Sequence, residues 1–456
     1  MIRRTLATGC VMLALVSHAE APAPTQPPTE APLLTSSRRV VSLKEALGLA
    51  AQNSADLAGA KAQAAQVESQ ANRVWGALLP EISANGSLVR TSAPAIFVTA
   101  AFAQTGNPAL PDAFKNQITI IGENSAYGTL LITETLLTPQ MLLIPAAKDG
   151  VDSARLGILE AREQVLLNTA RIYLSLQGIA QLETAAHDAE LVALKREKDA
   201  TNQLNAGMVV EVALLRAQAD TAQARSTLAQ LAGQREALLS LLEAFTGEAV
   251  RPDDAGAGLD FGAPAPEASQ PWENTYLIKS EKKGLVALEA FHTFDRYQWM
   301  PTLSAQVKGN ANSNLGFTGQ HFSYDLALML SFPIYDRGAR YSAMHEDDAK
   351  AAEQAAKLDA TERRAKANWV GAKTNLAAAQ AALDLAQAQL QLSTRAQKQL
   401  ESAYQAGVAT SFELSDIDNK RFLAASAAAQ ARAQVEVRKM EIAAAEGRLA
   451  EVAGLK

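Results

Sequence analysis

The chain has 456 residues, of which 48% are hydrophobic, 20% charged and 5% aromatic, with 26 Gly, 17 Pro and 1 Cys. Its 42 basic against 48 acidic residues give a formal net charge of -6. That balance lacks the basic excess of a general nucleic-acid binder, and the length allows about two to four domains. Alanine, not aromatic or β-branched residues, carries the hydrophobic fraction, a composition that reads as long helix or coiled coil and not as a disordered chain.

The N-terminus reads as an address. Arg3 and Arg4, the apolar run Val11 to Val16 and a small-x-small site at Ser17-His18-Ala19 or Ala19-Glu20-Ala21 describe a secretory signal over residues 1–21. Cys10 precedes the apolar run instead of following it, which disfavours a lipoprotein box and leaves a mature chain without cysteine. Residues 22–41 form a linker rich in Pro, Thr and Ala, too polar to bury a core. No later segment approaches the roughly 20 apolar residues of a membrane-crossing helix, so a membrane protein with this sequence spans by strands.

Order begins at Ser42-Leu43-Lys44-Glu45, a capping box, and the pattern stays helical to Leu79. Pro80 ends that helix. Residues 82–88 then alternate, the period of a strand with two different faces, and Tyr127 to Leu137 forms a second strand that stops at Pro139. Pro94, Gly106, Pro108 and Pro111 mark the segment between them as an exposed loop. Helical sequence follows from 140 to about 206. The tip turn Ala206-Gly207-Met208-Val209-Val210 puts a glycine where a helix end favours positive φ, and another helix runs to about Phe245.

The same order repeats after a Gly/Pro/Ala/Asp-rich boundary at 247–271. This divides the mature chain into a first repeat, 42–246 with its strand pair within 81–138, and a second, 272–456 with its strand pair within 302–332. Pro301 opens the second pair and Pro333 closes it. The return strand is cleanly two-faced, with Phe322, Tyr324, Leu326, Leu328, Leu330 and Phe332 on one side. Helix then runs from 334 to 406. The second tip, 406–410, repeats the turn with Ala406, Gly407 and Val408, and Thr410-Ser411-Phe412-Glu413 adds a capping box that the first tip lacks.

Two constraints follow. Helices of about 70 residues are about 100 Å long, struts that no globular domain needs. Strands of about ten residues suit an outer-membrane barrel, but four cannot close one; three chains would supply about twelve.

These residues resemble a known family. Ser42-Leu43-Lys44-Glu45-Ala46-Leu47, Leu78-Leu79-Pro80-Glu81-Ile82, its echo Met300-Pro301-Thr302-Leu303, the exit Ser331-Phe332-Pro333-Ile334-Tyr335-Asp336 and the two Ala-Gly turns look like the TolC-like outer-membrane efflux proteins, over nearly all of the mature chain. The resemblance implies a mainly α fold with a membrane β-barrel. Long antiparallel helical hairpins would form a trimeric α-barrel across the periplasm, continued by a 12-stranded β-barrel with four strands per chain. It implies a homotrimeric, passive exit duct of a tripartite efflux or type I secretion system in the cell outer membrane. Its partners would be a periplasmic adaptor, an inner-membrane transporter of the RND, ABC or MFS type, and outer-membrane lipids, with no nucleic acid. Pro80, Pro139, Pro301 and Pro333 would mark the junction of barrel and tunnel.

At the tips the resemblance is carried over residue by residue. Glu413 and Asp416 fall where the family places acidic rings at the entrance, and Tyr404 falls on a family tyrosine that helps latch it. The plainer alternative makes Glu413 a helix cap and Asp416 a solvated first-turn acid. Ala409 and Ala213 stand where the best-known member has a latch arginine and aspartate, and whether Glu211 replaces part of that charge stays open. Ala206, Gly207, Met208 and Ala406, Gly407, Val408 are the candidate adaptor contacts, or simply hairpin contacts within the chain.

No enzyme, cofactor or metal site is expected. His187, His292, His321 and His345 lack ligand spacing, Glu346-Asp347-Asp348 reads as a solvated face, and there is no phosphate loop, nucleophile elbow or HExxH. Lys308 and Asp325 lie on polar strand faces. Two alternatives remain. A periplasmic adaptor would have one hairpin flanked by β domains, and a soluble coiled-coil scaffold leaves the four proline-bounded strands without a reason.

Overall fold

The computed structural model describes residues 38–97, 118–253, 270–313 and 320–455. The signal, most of the linker, Gly106, Pro108 and Pro111, and most of the inter-repeat segment lie outside them.

Ser42 caps α1 (Leu43–Asn53) through the expected box: Glu45 N–H donates to its hydroxyl at 3.3 Å, and Ser42 N–H donates back to the Glu45 carboxylate at 3.0 Å. The helix expected to run unbroken to Leu79 is two helices. Buried Ser54 is extended between α1 and α2 (Ala55–Gly76), at φ -61° and ψ 128°. The sequence breaks again at Pro80, and β2 (Glu81–Arg90) begins at the next residue.

Three segments read as linker or loop contain strands. Within the 22–41 linker, β1 (Arg39–Val41) pairs in parallel with β6 (Val250–Pro252), which lies within the 247–271 segment. The Val41 and Val250 side chains are buried, and the Tyr173 hydroxyl donates to Val41 C=O at 2.9 Å while Asp253 N–H donates to it at 3.2 Å. Within the predicted 89–126 loop, β3 (Ala95–Phe97) pairs with β4 (Ile118–Ile121). Strands of three or four residues are too short to carry a period.

The helices α3 (Leu143–Asn205) and α6 (Ala339–Gln405) have 63 and 67 residues, about 95 and 100 Å at 1.5 Å per residue. The helix expected from 334 starts five residues later because Arg337 and Gly338 take positive φ of 60° and 80°. The Asp336 carboxylate fixes that corner, accepting from Gly338 N–H at 3.0 Å and Arg340 N–H at 3.1 Å. The remaining helices are α4 (Glu211–Thr246), α5 (Tyr276–Arg296), α7 (Ser411–Ala445) and α8 (Leu449–Val452).

The core joins Leu43 and Leu47 of α1 to Leu166 and Tyr173 of α3, Leu242 of α4, Met440 of α7 and Leu449 of α8. Buried Glu163 of α3 accepts from Leu449 N–H at 3.1 Å and Ala450 N–H at 3.0 Å, pinning α8. Burial pushes this carboxyl above its ordinary range, against those two bonds.

One antiparallel sheet has the order β2-β5-β7-β8, where β5 is Asn124–Leu137, β7 is Thr302–Asn312 and β8 is Phe322–Ser331. Pro80 and Pro301 directly precede β2 and β7. Pro139 and Pro333 each stand two residues after the ends of β5 and β8. Among the described residues no helix is long and apolar enough to cross a membrane.

Candidate functional site

The register sorts the sheet into two faces, since directly paired residues share one. One face carries Ile82, Ala84 and Leu88 of β2, Leu130 and Ile132 of β5, Leu303, Ala305 and Val307 of β7, and Tyr324, Leu326, Leu328 and Leu330 of β8. Glu134, paired with Ala305 close to a bulge between Thr135 and Leu137, is its acidic exception. The other face carries Ser83 and Asn85, Thr129 and Thr133, Gln306 and Lys308, and Ser323 and Asp325, with Leu131 and Met329 as apolar exceptions. Lys308 faces Asp325 directly across strands, and Asn310 Nδ2 donates to the Asp325 carboxylate at 3.0 Å.

The apolar face is open. Leu326, Leu328 and Leu330 are 71%, 69% and 70% exposed, and β2 and β8 are the edge strands of this sheet. Apolar exposure in one continuous sheet, beside unpaired edges, marks a surface built for another apolar phase or another chain.

The tips are the second site. Gly207 and Gly407 take φ of 72° and 75° with open space around them, so conformation and not packing requires glycine there. Met208 N–H donates to Gln203 C=O and Val408 N–H to Ala403 C=O, both at 2.9 Å, closing each helix end. The Met208 and Val408 side chains stand free, 74% and 83% exposed. Beyond the first tip Val210, Val212 and Leu215 are exposed as well, with no side-chain cap on α4; beyond the second, Phe412 lies under the Arg216 guanidinium at 5.2 Å.

Glu413 is tied into the capping box of α7. Its carboxylate accepts from Thr410 N–H at 2.8 Å and from the Thr410 hydroxyl at 2.9 Å, bonds that hold it below its ordinary range. Asp416 accepts from Lys420 at 2.6 Å. Among the described residues neither acid bonds to the first hairpin. Tyr404 does: its hydroxyl accepts from Gln203 Nε2 at 3.0 Å.

The charged link between hairpins lies deeper, at residues the sequence reading missed. Arg196 of α3 places Nε 3.4 Å from Asp418 of α7 and its guanidinium 5.9 Å from the Tyr404 ring centre, with side chains 17% and 14% exposed in the ion pair. Gln397 Nε2 donates to the same Asp418 at 2.6 Å, Glu401 pairs with Lys195 at 3.4 Å, and the Ser415 hydroxyl donates to Asp220 of α4 at 2.6 Å. A cavity of about 870 Å³ lies beside this network, lined by both hairpins, while Leu414 and Ala424 of α7 are buried close by. One signal was available: Arg196 precedes Gly207, and Asp418 follows Gly407, by the same 11 residues. Equal offsets from the two turns put both side chains at one height above the tips. Among the described residues no cluster of three or more His, Cys, Asp or Glu could hold a metal ion.

Residues 278–448 match the family model for outer membrane efflux protein. The fold is similar to the Campylobacter jejuni CmeC outer membrane channel, at TM-score 0.75 and 18% identity over 89% of this chain and 86% of that one. It is similar also to the outer membrane protein VceC from Vibrio cholerae, at 0.70 and 15% over 89% and 96%. The open state of the Neisseria gonorrhoeae MtrE outer membrane channel gives 0.70 and 17% over 89% of both chains. No curated protein sequence matches the chain.

Proposed function

We propose that this chain, whose residues 278–448 match the outer membrane efflux protein model and whose fold is similar to that of outer membrane channels, is the exit duct of a tripartite efflux or type I secretion system. Three copies would pair edge strand β8 of one with β2 of the next and close twelve strands into a barrel. The open apolar face of the sheet carries this reading: it would meet lipid, while Lys308, Asp325 and their polar neighbours would line water.

Pro80, Pro139, Pro301 and Pro333 would form the junction where strands give way to helices. The two repeats, 42–246 and 272–456, would each contribute one long hairpin to a periplasmic tunnel. The tips, through Ala206, Gly207, Met208, Ala406, Gly407 and Val408, would meet a periplasmic adaptor, which links the duct to an RND, ABC or MFS transporter that supplies the energy. Glu413 and Asp416 would face their symmetry mates as acidic rings, with Tyr404 part of the latch.

The pure protein reconstituted into a planar bilayer is expected to give stepwise conductance, and a silent bilayer would contradict the duct. Replacing Glu413 and Asp416 by alanine should weaken cation preference. Unchanged selectivity would leave both acids as helix-start residues only.

A further inference from the structure

In the hairpins α4 packs on α3, α3 on α7 and α7 on α6, which leaves α4 and α6 at the two ends of the row. Each of these end helices carries a second seam that nothing in the chain covers. On α4, Ala217, Thr221 and Leu239 are buried, whereas Ala222, Ser226, Ala229 and Gly233 lie on a different side and are exposed. On α6, Leu383 and Leu390 are half-buried, whereas Ala381, Leu385, Ala388 and Leu392 are exposed, the two leucines by 73% and 65%. Both exposed sets run at steps of four, three and four residues, the heptad spacing by which helices interlock. A Cβ at Gly233 would meet open space in this chain, which leaves room there for another backbone to approach closely.

Counted from the turn glycines, the two seams match layer by layer. Ala222 follows Gly207, and Leu392 precedes Gly407, by the same 15 residues; Ser226 and Ala388 both stand at 19, Ala229 and Leu385 at 22, Gly233 and Ala381 at 26. Equal offsets mean equal heights, as the Arg196–Asp418 ion pair between the hairpins already demonstrates. Each leucine of α6 is thus level with an alanine of α4, a large residue against a small one. Nearer the turns the match stops, with Arg395 level with Ala219 and Gln399 level with Leu215.

The matching seams stand at opposite ends of one row, so they meet only between copies, head to tail, as in a closed ring. The sheet edges follow the same two sides. Edge strand β8 leads into α6, and edge strand β2 follows α2, whose neighbour α1 packs on α4. We infer that α6 of one copy interlocks with α4 of the next in an antiparallel seam of four layers, centred on Leu392 against Ala222 and Leu385 against Ala229. The seam rests on the exit-duct reading and carries its β8–β2 closure down the helices.

Disulfide cross-linking of the full-length protein in membranes tests the seam, since Cys10 is the only native cysteine. Ala222→Cys with Leu392→Cys, and Ala229→Cys with Leu385→Cys, should each give reductant-sensitive species of two and three chains under a mild oxidant, while each single variant gives none. The shifted pair Ala222→Cys with Leu385→Cys is displaced by about 10 Å along the helix, beyond disulfide reach, and should link about tenfold less. Native mass in detergent is measured on the same samples. A mass of three chains without the matched links, or equal linking by the shifted pair, would overturn the seam, leave the exit duct standing and give the two helix faces to a different partner. A monomeric mass would remove the duct reading and the seam with it.

Discussion

Leu166 and Leu328 are the same residue in opposite surroundings. The first is fully buried among α1, α3, α4 and α7; the second is 69% exposed on β8, between Leu326 and Leu330, which are as exposed. The helical core follows the rule for water, with apolar side chains inside. The sheet inverts it along one continuous face, while the helices also expose leucines such as Leu385 and Leu392 of α6. On the proposed function, the buried leucine belongs to the periplasmic helices and the displayed one to the lipid-facing sheet.

Substitutions can break or sharpen that contrast. Leu166→Ala should destabilise the helical region by about 2–5 kcal/mol, the cost of truncating a core leucine, read by thermal or denaturant unfolding in detergent. Leu328→Ala should be nearly silent in the same assay. Leu328→Arg should cost about 2–4 kcal/mol, the penalty for a cation on a lipid-facing barrel strand near mid-membrane, read as lost membrane insertion with the helical circular-dichroism signal retained. Equal responses to alanine at 166 and 328 would remove the distinction.

Much of this was legible because the strands are long and their prolines repeat. The period-2 pattern of 322–332 and the placement of Pro80 and Pro301 locate β8, β2 and the start of β7 to within a residue or two, while β7 runs on to Asn312. The β1–β6 pair was hidden because three residues in a proline-rich context show no period, and what fixes them is Tyr173, more than a hundred residues from Val41. The tip network was hidden for a similar reason. Arg196 and Asp418 are 222 positions apart and meet only because two hairpins stand side by side.

The tips give smaller effects, since fewer buried groups are involved. Arg196→Ala should leave Asp418 half-buried without its cation and raise single-channel conductance by loosening the hairpins. The swap Arg196→Asp with Asp418→Arg should restore much of the wild-type value, and failure of both would make the pair incidental. Thr410→Ala should cost about 1 kcal/mol of α7 stability, as loss of a capping hydroxyl does, while Val210→Ala at the uncapped first tip should cost less; hydrogen exchange at each helix start would read both. The smallest effect is on pH. Glu413 is held below its ordinary range, so its cap is intact above the unfolded value and is lost as pH falls through the folded one. Acid should therefore fray the second tip before the first, and a Glu413→Gln variant should lose that difference.

The central claim is that the exposed sheet becomes a closed, lipid-facing barrel only when several copies share it. The native mass of the protein extracted by detergent from the membrane fraction, corrected for bound detergent, tests this most directly. The account predicts a mass near three chains. A monomer, or a protein found wholly in the soluble fraction, would contradict it.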